Sequence, residues 1–209
     1  MGFIAVLDYG IGNLRSAQKA LEHVGADARL ITVPAEVEGA SGVVLPGVGA
    51  FGACVTALRE SGLEAVALRS ISDGLPFLGV CVGMQMLYAG SDESPGVDGL
   101  GFFDARISRL GDGVKHPQMQ WNRLEFVDAD HPMAQALPAE PWVYFVHSYA
   151  AADSGAGEVV ATCNYPDAVV AAVARDNVWA VQFHPEKSGP VGLALLSGFV
   201  DRCDPGRAS

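Results

Sequence analysis

Short, unbroken apolar runs alternate with stretches of helical period through the first half of this chain, and few architectures accept that rhythm. FIAVL at 3–7, ARLITV at 28–33, GVVLPG at 42–47 and PFLGV at 76–80 read as strands covered on both faces. Between the first two, Leu14, Ala17, Leu21 and Val24 fall on one face of a helix that Asn13 can cap and Gly25 can stop. FGACVTALRE and LEAVALRSIS supply two more helices, and VGMQMLYA another directly after Cys81. Strands and helices in alternation, joined by short connections, predict the α/β class: an open, mainly parallel sheet with flanking helices. The second half changes character. RLEFV, PWVYFV, EVVATC, AVVAAVAR and VWAVQF read as short strands, with Asp176-Asn177 as a hairpin turn and a last helix over about 190–200. This predicts an antiparallel strand extension on the parallel sheet. Without repeats, low-complexity tracts or a linker, residues 1–209 read as one domain.

Composition narrows the function classes. The chain is half apolar and only 18% charged, inside the globular range. Its net charge of −11 argues against wide contact with nucleic acid, which relies on Lys and Arg to neutralise phosphates. The opening MGFIAVLDYG lacks the basic lead-in of a secretory signal, and Val6 stands where a myristoylation motif needs Ser or Thr. No apolar run approaches the ~18 residues of a membrane helix; AVVAAVA at 168–174 is stopped by Arg175. Cys54, Cys81, Cys163 and Cys203 are widely spaced, with no C-x-x-C, so neither a zinc site nor a disulfide scaffold is expected. In DYGIGN, Arg15 occupies the last glycine position of G-x-G-x-x-G, which excludes a dinucleotide loop. The expectation is a cytoplasmic protein that needs no cofactor and binds neither nucleic acid nor membrane.

Gly79-Val80-Cys81-Val82-Gly83 has the shape of a nucleophile elbow with Cys in the Ser place. A buried cysteine between packing glycines is the competing reading, and only partners separate the two. The helix expected after Cys81 would turn its free N–H groups toward the sulfur and favour thiolate. A nucleophilic thiol also needs an imidazole, and the imidazole an orienting carboxylate. Of the five histidines, His23 sits at a helix end, and His116 and His131, each before a proline, read as surface residues. His184 differs: an apolar strand runs into His184-Pro185-Glu186, and in an extended segment alternate side chains share one side. An anion hole could draw on the N–H of Val82 and on the glycine-rich turn in LPGVGAFG, through Val48 or Gly49.

Taken together, DYGIGNLRS (8–16), LPGVGAFG (45–52), GVCVGMQ (79–85), WN (121–122), FVHSY (145–149) and FHPEKS (183–188) resemble, in the same order, the motifs of the triad (Cys-His-Glu) glutamine amidotransferases. The likeness is closest to those that feed a cyclase in histidine biosynthesis, and it covers nearly the whole chain. The resemblance implies a flavodoxin-like fold and hydrolysis of L-glutamine to glutamate and ammonia through a cysteine thioester. It implies Cys81 as nucleophile, His184 as base and acid, and Glu186 as orienter, with Val48, Gly49 and Val82 forming the oxyanion hole. It further implies that Gln85 and Glu93 hold the substrate, with the backbone of His147, Ser148 and Tyr149 on its carboxylate. Asn13, Trp121, Tyr144 and Lys187 would face a (βα)8-barrel cyclase, the heterodimer partner. Ammonia would reach it through a tunnel, and the cyclase would make imidazole glycerol phosphate and an aminoimidazole carboxamide ribotide. The chain departs from the pattern at Gln120, Val82 and Ala150, none of them a catalytic side chain. Rival readings are a glutaminase serving the synthase of pyridoxal phosphate, a stress-response or peptidase-like relative with an elbow cysteine, and a non-catalytic binding module. His184-Pro185-Glu186 weighs against the last two.

Overall fold

The computed structural model describes residues 2–151, 157–204 and 206. In chain order the elements begin with β1 (Phe3–Leu7), α1 (Leu14–His23), β2 (Ala28–Ile31), β3 (Ala40–Gly47), α2 (Phe51–Glu60), α3 (Leu63–Ser72), β4 (Phe77–Cys81) and α4 (Val82–Met86). They continue with β5 (Ile107–Arg109), β6 (Gln118–Arg123), β7 (Glu125–Phe126), α5 (Pro132–Gln135), β8 (Trp142–His147) and β9 (Tyr149–Ala151). Last come β10 (Val159–Tyr165), β11 (Asp167–Arg175), β12 (Val178–Val181) and α6 (Gly189–Cys203). No described helix is long and apolar enough to cross a membrane.

One sheet organises them, in the order β2-β1-β3-β4-β12-β11-β10-β7. The strands from β2 to β12 pair in parallel, and β11, β10 and β7 extend the sheet in antiparallel fashion. The chain steps from β1 outward to β2 but from β3 to β4 in the opposite direction. Right-handed crossovers therefore put α1 on one face and α2 and α3 on the other. In agreement, α1 packs with α6, while α2 packs with α3 and α4. Two small antiparallel pairs, β5 with β9 and β6 with β8, stand outside the main sheet.

The apolar runs form the inner strands because both faces are covered. Every residue of β1 and β4 is buried. Burying one large apolar side chain fully is worth roughly 1.5–3 kcal/mol, and Phe77, Leu78, Trp179, Leu45 and Phe199 are all enclosed. The helix predicted after Cys81 is shorter than its apolar pattern suggested. From Met86 onward the carbonyls are taken by a neighbouring loop: Leu100 N–H donates to Met86 O at 2.7 Å and Phe102 N–H to Leu87 O at 2.8 Å. Asn13 holds the N-cap position of α1, yet its side chain makes no capping hydrogen bond. His116 and His131 are half-buried, not surface residues. His131 Nδ1 caps α5 by accepting from Met133 N–H at 3.1 Å, and its ring lies against Trp179.

The tightest backbone contact lies where α4 meets β3. A Cβ on Gly83 would collide with the carbonyl oxygen of Leu45, and one on Gly47 would come within 2.8 Å of Gly83 N. Gly83→Ala should therefore cost about 1–3 kcal/mol, the usual range for overpacking. It would be read as a lower urea midpoint at unchanged slope; a midpoint equal to the unaltered protein's would contradict the close approach.

Candidate active site

The β4–α4 junction places Cys81. With β4 held between β3 and β12 and α4 pressed onto β3, the chain turns from strand to helix within one residue. Cys81 takes the turn with φ 54° and ψ −112°, a left-handed conformation strained for a residue with a Cβ. Gly79 and Gly83 serve close packing: a Cβ on Gly79 would lie 3.0 Å from Leu87 Cδ1 and 3.1 Å from Gly83 O. Cys81 is 3% exposed, at the start of α4, whose first N–H groups, Val82's among them, have no intrahelical acceptor.

The adjacent parallel strand delivers the histidine. Val80 is in register with Val181, so Cys81 and Gln182 are the next residues out on neighbouring strands. The chain then passes through Phe183 to His184 and into a 3-10 turn over Pro185–Lys187. His184 Nδ1 and Glu186 Oε1 meet at 2.8 Å because of that turn, whereas the sequence suggested an extended segment. Ser188 locks the loop. Its hydroxyl donates to His184 O at 2.6 Å and accepts from Tyr144 N–H at 3.0 Å, while His184 N–H donates to Tyr144 O at 3.1 Å. Burial pushes the His184 pKa down, but the charges and hydrogen bonding of Cys81 and Glu186 outweigh it and carry the pKa up to about 9. Its Nδ1 is engaged by Glu186 Oε1, which leaves Nε2 as the ring nitrogen free of Glu186.

A cavity of about 310 Å³ opens on these groups at the carboxyl ends of β3, β4 and β12. It is lined by Cys81, His184, Val48, Gly49, Val82, Gln85, Glu93, His147, Ser148, Tyr149 and Lys187, with Pro117 and Val146. Glu186 stands behind His184, and the other predicted catalytic, anion-hole and substrate-holding residues all reach the cavity. Of the residues expected at a partner surface, Lys187 alone lines it. Asn13 is exposed at the start of α1, and exposed Trp121 on β6 sets its ring 6.1 Å from that of Tyr144 on β8.

The glycine-rich turn is braced from below and from the side. Tyr9 OH donates to Pro46 O at 2.7 Å, and Cys54 Sγ to Val48 O at 3.2 Å. Burial raises the pKa values of both Tyr9 and Cys54, so both remain protonated donors. Glu93 Oε2 accepts from Phe51 N–H at 2.8 Å and Ser94 Oγ from Gly52 N–H at 3.0 Å, so the start of α2 is capped by the segment that carries Glu93. His147 is buried, which pushes its pKa down to about 4, the Tyr149 carbonyl opposing this and the His184 charge adding to it. It is therefore neutral, with Nδ1–H donating to Tyr149 O at 2.9 Å and Nε2 bare. Gln182 and Pro117 are not among the residues that the sequence singles out, and Val146 enters only as part of FVHSY. Gln182 alone left a signal, a lone polar residue inside the apolar run VWAVQF.

The fold and the site define a class-I glutamine amidotransferase domain: residues 5–203 match the family model of that description. The chain is 45% identical to imidazole glycerol phosphate synthase subunit HisH of Methylococcus capsulatus, over 96% of each chain. It is 48% identical to the subunit of the same name from Thermosynechococcus vestitus, over 94% of this chain and 95% of that one. The chain belongs to this HisH family. Among solved structures, one described as a glutamine amidotransferase shares the fold with TM-score 0.78 at 23% identity, covering 97% of this chain and 99% of its own. PurLQS from Thermotoga maritima shares it with TM-score 0.78 at 20% identity, covering 97% of this chain and 99% of that one.

The raised His184 pKa carries a sign. Its charge stabilises the fold fully below about pH 6.5, and that contribution is lost as pH rises through about 9. Glu186→Gln removes one of the groups holding the proton, so the His184 ring titration followed by NMR should move to lower pH. A midpoint left at about 9 would show that Glu186 does not hold the charge.

Proposed function

We propose that this chain hydrolyses the side-chain amide of L-glutamine at Cys81 and delivers the ammonia to a cyclase, as the glutaminase subunit of an imidazole glycerol phosphate synthase. One observation carries the chemistry: Cys81, at the strained strand–helix junction, shares a single cavity with His184, whose far nitrogen is held by Glu186. With its raised pKa, His184 is imidazolium at neutral pH and favours Cys81 as thiolate.

The thiolate attacks the amide carbon, and the oxygen that gains the electron pair is met by N–H groups of Val82 and of the turn at Val48 and Gly49. His184 gives its Nε2 proton to the departing nitrogen, so ammonia leaves and a glutamyl thioester stays on Cys81. Neutral His184 then takes a proton from water, the hydroxide attacks the thioester, and glutamate leaves with the thiolate restored. Each anion-hole donor contributes on the order of a hundred- to a thousandfold in rate. Gln85 and Glu93 hold the substrate's polar groups, and the backbone of His147, Ser148 and Tyr149 its carboxylate.

Ammonia released into neutral water becomes ammonium, which cannot attack, so a sheltered tunnel to the partner fits the chemistry. The partner is a (βα)8-barrel cyclase that makes imidazole glycerol phosphate and an aminoimidazole carboxamide ribotide. The β6–β8 pair supports a docking role: Met119, Trp121 and Trp142 are exposed apolar side chains there, 60%, 49% and 51% accessible, beside Tyr144 and within the same small sheet. Gln120 is exposed on the same strand, but its register with buried Phe145 puts it on the face away from Met119 and Trp121. Lys187, at the cavity and exposed, suits the ammonia exit, and Asn13 the outer contact. These reactions fit the cytoplasm.

The decisive measurement is glutamine hydrolysis with and without the cyclase and its ligand. Weak activity of the isolated chain, stimulated by the loaded cyclase, is expected; vigorous activity indifferent to the partner would count against the coupling. In Cys81→Ser, glutamine-driven synthesis by the complex should vanish while ammonia-driven synthesis survives. Persistent use of glutamine by that variant would remove Cys81 as the nucleophile.

A further inference from the structure

Gln182 is fully enclosed one residue beyond the last registered pair of β12 and β4, and burial of a carboxamide is costly unless its polar atoms are bonded. Its Oε1 accepts from Gln85 Nε2 at 3.0 Å, and its Nε2 lies 3.8 Å from Cys81 Sγ, within reach for a sulfur acceptor. The two ends of a carboxamide have the same shape, so only the partners decide which faces which neighbour. Here the decision traces to one atom that cannot be reversed. The carbonyl oxygen of Tyr149 can only accept, and it takes Gln85 Nε2 at 2.9 Å together with His147 Nδ1 at 2.9 Å. Gln85 must therefore turn its nitrogen toward β9. The second hydrogen of that nitrogen needs an acceptor, so Gln182 must present its oxygen to Gln85 and its NH2 group to the sulfur.

We infer that Gln182 is a positioning residue, the middle of a donor relay in which Gln85 Nε2, anchored on the Tyr149 carbonyl, also donates to Gln182 Oε1, and Gln182 Nε2 in turn donates to the Cys81 thiolate. This rests on the proposed role of Cys81 and assigns Gln182 a part in it. The relay has two consequences. A donor aimed at the sulfur from β12, on a different element from α4, favours thiolate over thiol. With its nitrogen held by two acceptors, Gln85 offers the cavity its oxygen alone, so the ligand must bring a donor to that atom. The site is thereby biased toward substrates with an N–H group at that place.

The two ends of the relay separate by substitution. Gln182→Glu keeps the acceptor for Gln85 but takes away the donor and sets a negative charge beside the sulfur. Gln182→Met removes both ends, and Gln85→Met frees the Gln182 oxygen without touching β12. The measurement is the rate of Cys81 alkylation by iodoacetamide against pH, read by peptide mass mapping so that Cys54, Cys163 and Cys203 do not contribute. In Gln182→Glu, alkylation at neutral pH should slow by about tenfold or more. For glutamine, kcat should fall with KM nearly kept. Gln182→Met should slow alkylation less and raise KM as well, and Gln85→Met should slow it by about threefold. Circular dichroism identifies the variants that fold, and any one of them suffices. Alkylation with the unaltered rate and midpoint in a folded variant overturns the relay, as it would if Gln182 only filled space. Because alkylation needs no glutamine, it answers independently of Cys81→Ser, where surviving glutamine use would instead sink the proposed reaction.

Discussion

A backbone contact governs the site: α4 lies so close to β3 that Gly83 fits against the Leu45 carbonyl only for want of a Cβ. With no room above β3, the chain cannot leave β4 through a loop. It must turn at Cys81 itself, which takes on a positive φ. Such a conformation costs of the order of 1–3 kcal/mol and persists only where its surroundings over-determine it. The enclosure of all of β4 and the pairing of that strand on both edges supply the determination. The strain leaves the thiol at the start of a helix, where first-turn N–H groups have no intrahelical partners.

The other groups reach the sulfur because parallel neighbours end at the same rim. β3 ends in the braced turn at 46–49, β4 in Cys81, and β12 in Gln182 and the His184 loop. Side chains scattered over more than a hundred positions thus line one cavity. What holds them in place is mostly backbone. Tyr144 and Ser188 fix the His184 loop, Phe51 and Gly52 bind the segment of Glu93, and the Tyr149 carbonyl orients two side chains at once. A site whose side chains are anchored on main-chain atoms of several elements keeps its geometry.

Local patterning made much of this readable. FGACVTALRE and LEAVALRSIS coincide with α2 and α3 because their apolar periods are helical and no distant segment takes the carbonyls of their middle turns. α4 is shorter than its pattern because the loop at 99–103 claims the carbonyls beyond Met86, a partner distant in sequence. The short strands β5, β6 and β9 escaped the reading for a related reason. Three to six residues with mixed polarity carry little period of their own, and each pairs outside the main sheet. Gln182 is a polar residue at the end of an apolar strand, and nothing local says that Tyr149 and Gln85 orient it. Glu93 owed its place to motif resemblance alone.

By itself the sequence determined the strand–helix order, the glycines around Cys81 and the pairing of a histidine with a nearby glutamate, since all of these rest on period and on steric demands between near neighbours. Only the tertiary structure decided that β12 lies beside β4, that a 3-10 turn and not an extended strand joins His184 to Glu186, and which way each buried amide points. Those outcomes depend on hydrogen bonds and close approaches between segments far apart in the chain, and such partners exist only once the sheet has closed around them.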